Sequence, residues 1–514
     1  MNREVVLINM PFFGTDRPSL GLSLLKSQLR REGINAHIYY FNILFSRIVG
    51  ILNYRRIESA PTTLLLGEWI FAESLWGPNR GRDDEYIALL RDGIESLKSR
   101  WPGTTSPDDL VRIALECRRK AETFLEHCAL EIPWESVGVV GFSSTFQQQI
   151  ASLALAMRVK SRYPEVHCVF GGANCESEMG EALFEAFPFI GAVCVGEGDL
   201  VFPRYVERIL GGGPFHQLAG MYQRDSGVGP SPITGAGGAE DDFFLGMPPP
   251  ADIGSLPIPD YDDYFSVMAS SEQGDGPVLI PFETSRGCWW GQRQHCTFCG
   301  LNGLTMKFRE KPASRALDEI LALGRRYSGP DRVFEAVDNI LPMSYFESLL
   351  PELARLRLGY QFFYETKSNL RPDQVRLLSR AGVTCIQPGI ESLSTPVLRR
   401  MRKGVTAIQN VQLLRACKQH GVRPHWNYLV GFPGETDQDY EGQENLFRSL
   451  SHLDPPFFEL AGQVRFDRFS PYTTHSEELG VSGLSPNAVK HFTLLVDQPK
   501  SRAPFSSALS WPLG

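Results

Sequence analysis

The stretch Glu283-Thr284-Ser285-Arg286-Gly287-Cys288-Trp289-Trp290-Gly291, continued by Cys296-Thr297-Phe298-Cys299-Gly300, decides how this chain is read. It sets three cysteines, Cys288, Cys296 and Cys299, with seven and then two residues between them. They follow directly on Val278 to Thr284, an apolar run that reads as a strand. Further strand-like runs come at Val333 to Val337, Gln361 to Thr366, Val383 to Pro388, His425 to Val430 and Gln463 to Phe466. Helical periodicity fills the gaps near Arg315 to Tyr327, Tyr345 to Leu356, Pro372 to Ala381, Thr395 to Met401 and Ala407 to His420. Six such units predict a partial or full barrel of parallel strands, whose chemistry sits at the C-terminal strand ends. The cysteines follow the first of those strands.

Upstream, the same βα grammar runs through Val5 to Asn9, a helix from Leu20 to Glu32, and Ala36 to Phe41. It resumes with strands at Val137 to Phe142, Val166 to Phe170 and Ala192 to Val195, separated by helices near Ile150 to Tyr163 and Glu178 to Ala186. These segments predict an open parallel sheet with helices on both faces. Between its halves lies a mainly helical insertion, about 47–133, whose last helix Ser106 can cap, with Pro107, Asp108 and Asp109 in its first turn. Residues 211–263, rich in Gly, Pro, Ser and Asp, read as a linker with little regular structure. The predicted organisation is α/β throughout: a doubly wound sheet domain at 1–210, the linker, a barrel at 264–475, and a tail or small helical extension at 476–514.

Composition narrows the function. The charged share of 21% and apolar share of 42% are those of a folded globular protein. Net charge is −8, and no Lys/Arg stripe matches a run of phosphates, so nucleic acid is not an expected partner. No apolar run approaches a membrane span or a secretory signal, so a cytoplasmic location without membrane attachment is expected. Of the 10 cysteines, seven read as packing residues, Cys117 and Cys128 on one helical stripe among them. Cys288, Cys296 and Cys299 read as metal ligands.

Three thiolates in one loop suit a 4Fe-4S cluster that leaves one iron open. A zinc site would want a fourth donor, and the nearest, His295, is adjacent to Cys296, which makes joint ligation awkward. A zinc loop and a redox or structural cysteine cluster stand as the alternatives. Trp289, Trp290 and Phe298 would shield a cluster from bulk water.

Cys288 to Gly303, with its Cys-x-Phe-Cys ending behind a first barrel strand, resembles the radical S-adenosylmethionine (SAM) superfamily. The superfamily's usual spacing is three then two. The widened loop Cys-Trp-Trp-Gly-x4-Cys-x-Phe-Cys-Gly-Leu-Asn-Gly resembles its cobalamin-type subgroup associated with maturation of ribosomally made peptides, the group described as RiPP maturation radical SAM protein 1. The resemblance implies that Cys288, Cys296 and Cys299 are the cluster ligands and catalytic residues, and that the open iron chelates SAM. Strand-end positions matching that pattern are assigned to SAM: Phe298 in the loop, Asp338 in place of the usual Gly-Gly-Glu, Glu365 and Lys367 on one face, Glu391 with Ser392, and Gly431 in Gly431-Phe432-Pro433-Gly434-Glu435-Thr436.

The small, polar strand ends of the first domain resemble a cobalamin-binding sheet. They are Ser143-Ser144-Thr145, Gly171-Gly172-Ala173-Asn174 and Gly196-Glu197-Gly198-Asp199. No Asp-x-His-x-x-Gly motif supplies a cobalt-ligating histidine. The implied cofactors are a 4Fe-4S cluster, SAM and cobalamin. The implied reaction is C-methylation of a ribosomal precursor peptide or related natural product, with a flavodoxin or ferredoxin as reductant. Radical rearrangement, cyclisation or transfer of another SAM fragment is the second reading, and a non-catalytic metal- or corrinoid-binding regulator the third. Tyr472, Arg465, Asp467 and His425 are the expected substrate-side residues, with precursor recognition by the insertion or the C-terminal tail.

Overall fold

The computed structural model describes residues 3–78, 83–98, 106–212, 217–224, 246–270, 277–457 and 461–484. Most of the expected C-terminal extension and the middle of the expected linker lie outside these residues.

The chain begins β1 (Glu4–Asn9), α1 (Leu20–Arg31), β2 (Ala36–Tyr40). Its insertion comprises α2 (Phe41–Val49), α3 (Ile51–Glu58), α4 (Leu66–Trp76), α5 (Asp83–Lys98) and α6 (Pro107–Glu131). It starts at Phe41, six residues before the expected boundary, because β2 passes into α2 without a loop. Ser106 caps α6 as expected, its side chain accepting from the Asp109 N–H at 3.1 Å. Next come β3 (Val137–Ser143), α7 (Gln149–Arg162), β4 (His167–Gly171), α8 (Glu178–Ala186), β5 (Ala192–Cys194) and α9 (Val201–Gly211). The sheet order is β2-β1-β3-β4-β5, all parallel, which puts the direction switch between β1 and β3. Residues 211–263 were expected to be irregular, yet β6 (Met221–Gln223) joins the sheet edge antiparallel to β5. Met221, fully buried, and the β-prone, half-buried Tyr222 provide the short strand that the glycine-rich surroundings obscured.

Leading into the second half, α10 (Asp262–Ala269) wedges between the two sheets. Tyr264 stands edge-on to Tyr40 at 5.4 Å and donates to the Thr15 carbonyl, while Tyr261 donates to the Pro281 carbonyl. One apolar core therefore runs from the α1 face of the first sheet into the barrel. A second core packs the insertion and α7 on the opposite face.

The barrel opens with β7 (Val278–Phe282), then the short β8 (Ser285–Arg286), α11 (Trp289–Arg293) and β9 (Arg309–Glu310). It proceeds through α12 (Ala313–Tyr327), β10 (Arg332–Ala336), α13 (Leu349–Leu356), β11 (Gln361–Thr366), α14 (Pro372–Arg380) and β12 (Val383–Pro388). After α15 (Thr395–Arg400) and α16 (Ala407–His420) come β13 (Arg423–Pro424), β14 (Leu429–Val430) and β15 (Gly462–Gln463). β7, β10, β11, β12 and β13 form a parallel sheet in that order, and β14 pairs parallel with β15. The expected strand His425 to Val430 is thus split. Glu391 sits at φ 58° beyond β12, bridges to Tyr428 and accepts from the Leu429 N–H at 2.8 Å, so the ladder restarts there after a kink. The expected helix at Tyr345 likewise splits into a 3-10 turn, Met343–Phe346, and α13.

Candidate active site

The cysteine loop, residues 287–308, hangs between β8 and β9, which pair antiparallel across its neck with Ser285 opposite Glu310 and Arg286 opposite Arg309. Asp338, beyond β10, fixes the loop's base. Its carboxylate accepts from the Thr284 and Ser285 N–H groups at 2.7 and 2.9 Å and from the Thr284 hydroxyl. Burial lifts this carboxyl to about 7, against the pull of those donors. Asp338 was expected on the SAM side; at 1% exposure and with both oxygens engaged, it supports the cysteine loop.

Within the loop, Cys288, Cys296 and Cys299 are partly exposed and carry no disulfide. Cys288 Sγ accepts from the Gly291 N–H at 3.3 Å, and the Cys299 N–H bonds the Cys296 carbonyl at 3.2 Å. Burial raises the Cys299 thiol to about 12, with Cys296 and Cys288 adding to the rise and Lys403 opposing it, so the three sulfurs lie within electrostatic range of one another. Among the described residues, no three His, Cys, Asp or Glu side chains stand together as a finished metal site. His295 Nε2 lies 2.8 Å from the Cys299 carbonyl, which engages the nitrogen a zinc site would have used. Three thiols, an N–H aimed at sulfur and an adjacent lysine fit an anionic iron–sulfur cluster better than a four-donor zinc site.

The barrel strand ends surround this loop. Lys403 Nζ is 3.5 Å from Glu391 and 5.6 Å from the Phe298 ring centroid. Burial opposes its charge, but Glu391 and Cys296 more than compensate, and its pKa is raised. Lys367 was expected on the SAM side with Glu365. Instead its ammonium lies 3.5 Å over the Trp290 ring and donates to the Lys403 carbonyl, and burial together with Lys403 lowers it to about 8. Gly404, at φ 64°, is required here because a Cβ would run into the Trp290 ring. Ser392 is fully buried and accepts from the Ser394 N–H at 3.1 Å, so it too is structural. Glu365 is half-buried and lifted to about 7 by burial and by Glu391. Gly431, at φ 90°, and Phe432 both donate their N–H groups to Glu435, at 2.6 and 2.7 Å. Phe432 then meets Phe298 edge-on at 5.8 Å, which brings this segment against the cysteine loop.

The C-terminal ends of β3, β4 and β5 line a cavity of about 280 Å³ together with Leu20 and Leu24 of α1. Ser143, Gly171, Gly172, Glu197 and Gly198 all border it, as do Glu283 and Arg286 from the barrel. Ser144 and Thr145 do not. Ser144 is fully buried, bonded to Asn174, Gln149 and the Gly171 carbonyl, and Thr145 is locked in a capping box with Gln148. Gln148 in turn donates to Asn9 and to the Met10 carbonyl, closing the β1/β3 switch point. Glu197, expected to touch a cofactor, pairs with Arg309 and accepts from the Ala251 N–H at 3.2 Å. The pocket's apolar floor and glycine walls fit one flat part of a large cofactor.

Of the expected substrate-side residues, Arg465 and Asp467 pair at 3.8 Å, Asp467 and Tyr472 lie against the cysteine loop, and His425 stands apart. Tyr472 is 3% exposed, its N–H bonded to the Thr297 carbonyl at 3.0 Å. His425, directly after β13, faces Phe457 at 5.1 Å. Arg465 reaches Thr62 of the insertion at 3.4 Å, and Asp467 packs against Gly300, where a Cβ would lie 2.6 Å away. With Arg468 paired to Glu178 at 2.5 Å, residues 465–468 join the cysteine loop to the first domain. Sequence reasoning missed Arg286 and Arg309 as the partners of Glu197 and Asp199, although a pair of arginines flanking a cysteine loop and a Glu-Gly-Asp strand end were there to be matched.

The sequence profile of the Radical SAM superfamily matches residues 282–442. An uncharacterized methyltransferase of Pyrococcus horikoshii is 22% identical over 394 residues, covering 73% of this chain and 80% of its own. The cytidylyl-2-hydroxyethylphosphonate methyltransferase of Streptomyces wedmorensis is 24% identical over 63% of each chain. Among solved structures, the radical SAM methyltransferase TsrM from Kitasatospora setae, with cobalamin and a [4Fe-4S] cluster bound, superposes with a TM-score of 0.58 at 15% identity, over 99% of this chain and 81% of that one. The cobalamin-dependent radical SAM enzyme OxsB, with aqua-cobalamin bound, also gives 0.58 at 15% identity, over 94% of this chain and 62% of OxsB. This chain therefore spans less than two-thirds of OxsB and of the phosphonate methyltransferase. The profile match, which begins just ahead of the cysteine loop, makes residues 282–442 a radical SAM domain, and the TsrM and OxsB superpositions give the chain the fold of these cobalamin-binding radical SAM enzymes.

Proposed function

We propose that the protein is a cobalamin-dependent radical SAM methyltransferase that methylates carbon in a natural-product substrate, most simply a ribosomally made precursor peptide. One observation supports the reading: the cysteine loop and its neck touch the glycine-rich ends of the first sheet, where Arg286 of the neck also borders the cavity. Leu304 of the loop lies where a Cβ on Gly196 would be 3.2 Å away, and Arg286 and Arg309 pair with Glu197. When bound, the cluster, SAM and corrinoid supply the electron, the radical and the methyl group. The chain's own part is to bind and orient them and to keep water out.

Cys288, Cys296 and Cys299 would hold the cluster, with Phe298 and Trp290 shielding it. Glu365, Glu391 and Gly431 would line the SAM side. Ser143, Gly171, Gly172 and Gly198 would admit the flat part of the corrinoid that reaches the cavity. The division into a sheet domain at 1–210 and a barrel at 264–475 belongs to this reading, as do a small reducing protein as electron donor and a cytoplasmic setting. Among the described residues no helix is long and apolar enough to cross a membrane.

Anaerobically reconstituted protein, given SAM and dithionite, is expected to release 5′-deoxyadenosine, and Cys288→Ala to release none. A gain of one methyl mass on the substrate separates methylation from rearrangement. Equal nucleoside release from both proteins would overturn the assignment of the cysteines.

A further inference from the structure

Arg286 and Arg309 face one another directly across the β8/β9 neck, and both are more than four-fifths buried. Two like charges in register on a strand pair repel, and burial strengthens the repulsion. What stands between them is a single carboxylate from the other domain. Glu197 is 3.2 Å from Arg286 Nη1 and accepts from both terminal nitrogens of Arg309. Asp199 takes the outer edge of Arg286 at 2.6 Å, and Glu283 takes its Nε at 2.7 Å. Arg309 has no second carboxylate among the described residues, only Glu197 and the Ala251 carbonyl at 2.8 Å. Glu197 and Asp199 also border the cavity at the sheet's edge.

We infer that Glu197 is a positioning residue that clasps the neck of the cysteine loop, so that the loop lining the cavity and the loop carrying the three cysteines move as one body. A cofactor entering the cavity is then felt at the cysteines through one side chain. The proposal deepens the functional reading above, since it concerns the loop that would hold the cluster, but its first test needs no cofactor.

Hydrogen–deuterium exchange is measured on the full chain without cluster. In Glu197→Gln, peptides covering 285–311 are expected to exchange about tenfold faster or more, because the facing arginines lose their shared anion. Peptides from β1 to β5 and β10 to β12 should stay within about twofold. Arg309→Gln in the Glu197→Gln background removes one of the repelling charges and should return most of the protection. On cluster-loaded protein, the electron paramagnetic resonance signal of the reduced cluster should shift on adding cobalamin in the wild type and not in Glu197→Gln. Unchanged exchange in the neck, acceleration spread over the whole chain, or no recovery in the double variant would each overturn the clasp. Failure of the wild type to take up any cluster would instead overturn the functional reading, with the exchange data still deciding the role of Glu197.

Discussion

Asp338→Asn tests how the cysteine loop is supported, because its effect should grow from nothing in acid to a net gain in stability above neutral pH. The carboxyl of Asp338 is displaced by burial from an ordinary value of 3.8 to about 7. Below pH 3.8 it is neutral both folded and unfolded. As pH rises toward 7 the unfolded chain ionises while the folded one keeps its proton, so the stability this group contributes is progressively lost. A displacement of that size is worth roughly 4 kcal/mol. Asparagine keeps an oxygen for the Thr284 and Ser285 N–H groups and turns an amide N–H toward the Thr284 hydroxyl, which can reverse its role from donor to acceptor. The variant should therefore match the wild type near pH 4 and exceed it by roughly 2–4 kcal/mol at pH 8, a shift of about 1–2 M in urea midpoint. Cluster-free protein unfolded in urea across that pH range, followed by tryptophan fluorescence, reads this directly. If the wild type instead gained on the variant as pH rose, the three donors would be stabilising an anion, and the attribution to burial would be wrong. Asp338→Ala, which strands three donors, should lose at least about 2 kcal/mol at any of these pH values.

Two further substitutions probe the same architecture. Gly172→Ala would force φ 97° on a residue with a Cβ lying 2.6 Å from the Ser144 carbonyl oxygen, so a loss of about 2–4 kcal/mol in thermal or urea unfolding is expected, with corrinoid binding weakened in a spectral titration. Lys367→Met removes the ammonium over Trp290 and leaves the Lys403 carbonyl without its donor; about 1–3 kcal/mol of stability and part of the iron content after reconstitution should be lost, the latter read by iron assay.

The fold was legible because hydrophobic periodicity is local. Strands such as Gln361–Thr366 and Val383–Pro388, and the helix Ala407–His420, end where the sequence pattern ends. The departures arise from partners distant in sequence. β6 exists because β5 offers an open edge, and the strand at 423–430 breaks because Glu391 intrudes in a left-handed conformation. Position at a strand end was likewise readable for every candidate ligand, but occupancy was not. Whether Asp338 or Glu197 is free depends on Thr284 and Arg309, and no spacing rule connects those pairs.

Sorting the strand-end groups by what they already hold narrows the ligand side. Asp338, Lys367 and Ser392 are committed to the cysteine loop and to the bend after β12. Glu391 shares Lys403, leaving that ammonium between a carboxylate and the cysteines. Glu365 is different: among the described residues nothing donates a hydrogen bond to its carboxylate, although Glu391, Asp338 and Glu335 all press negative charge upon it. A half-buried carboxylate in a field of its own sign is costly unless a ligand brings donors to it. Its elevated pKa, about 7, means that in the absence of such a ligand it still carries a proton over much of the near-neutral range. A hydroxyl- or ammonium-bearing ligand at this strand end would then favour the ionised form and release a proton on binding. Uptake of SAM by the wild type should accordingly tighten as pH rises through 7, and Glu365→Gln should flatten that dependence in a calorimetric titration run in two buffers of different ionisation enthalpy. A wild-type affinity independent of pH between 6 and 8 would mean that Glu365 does not face the ligand.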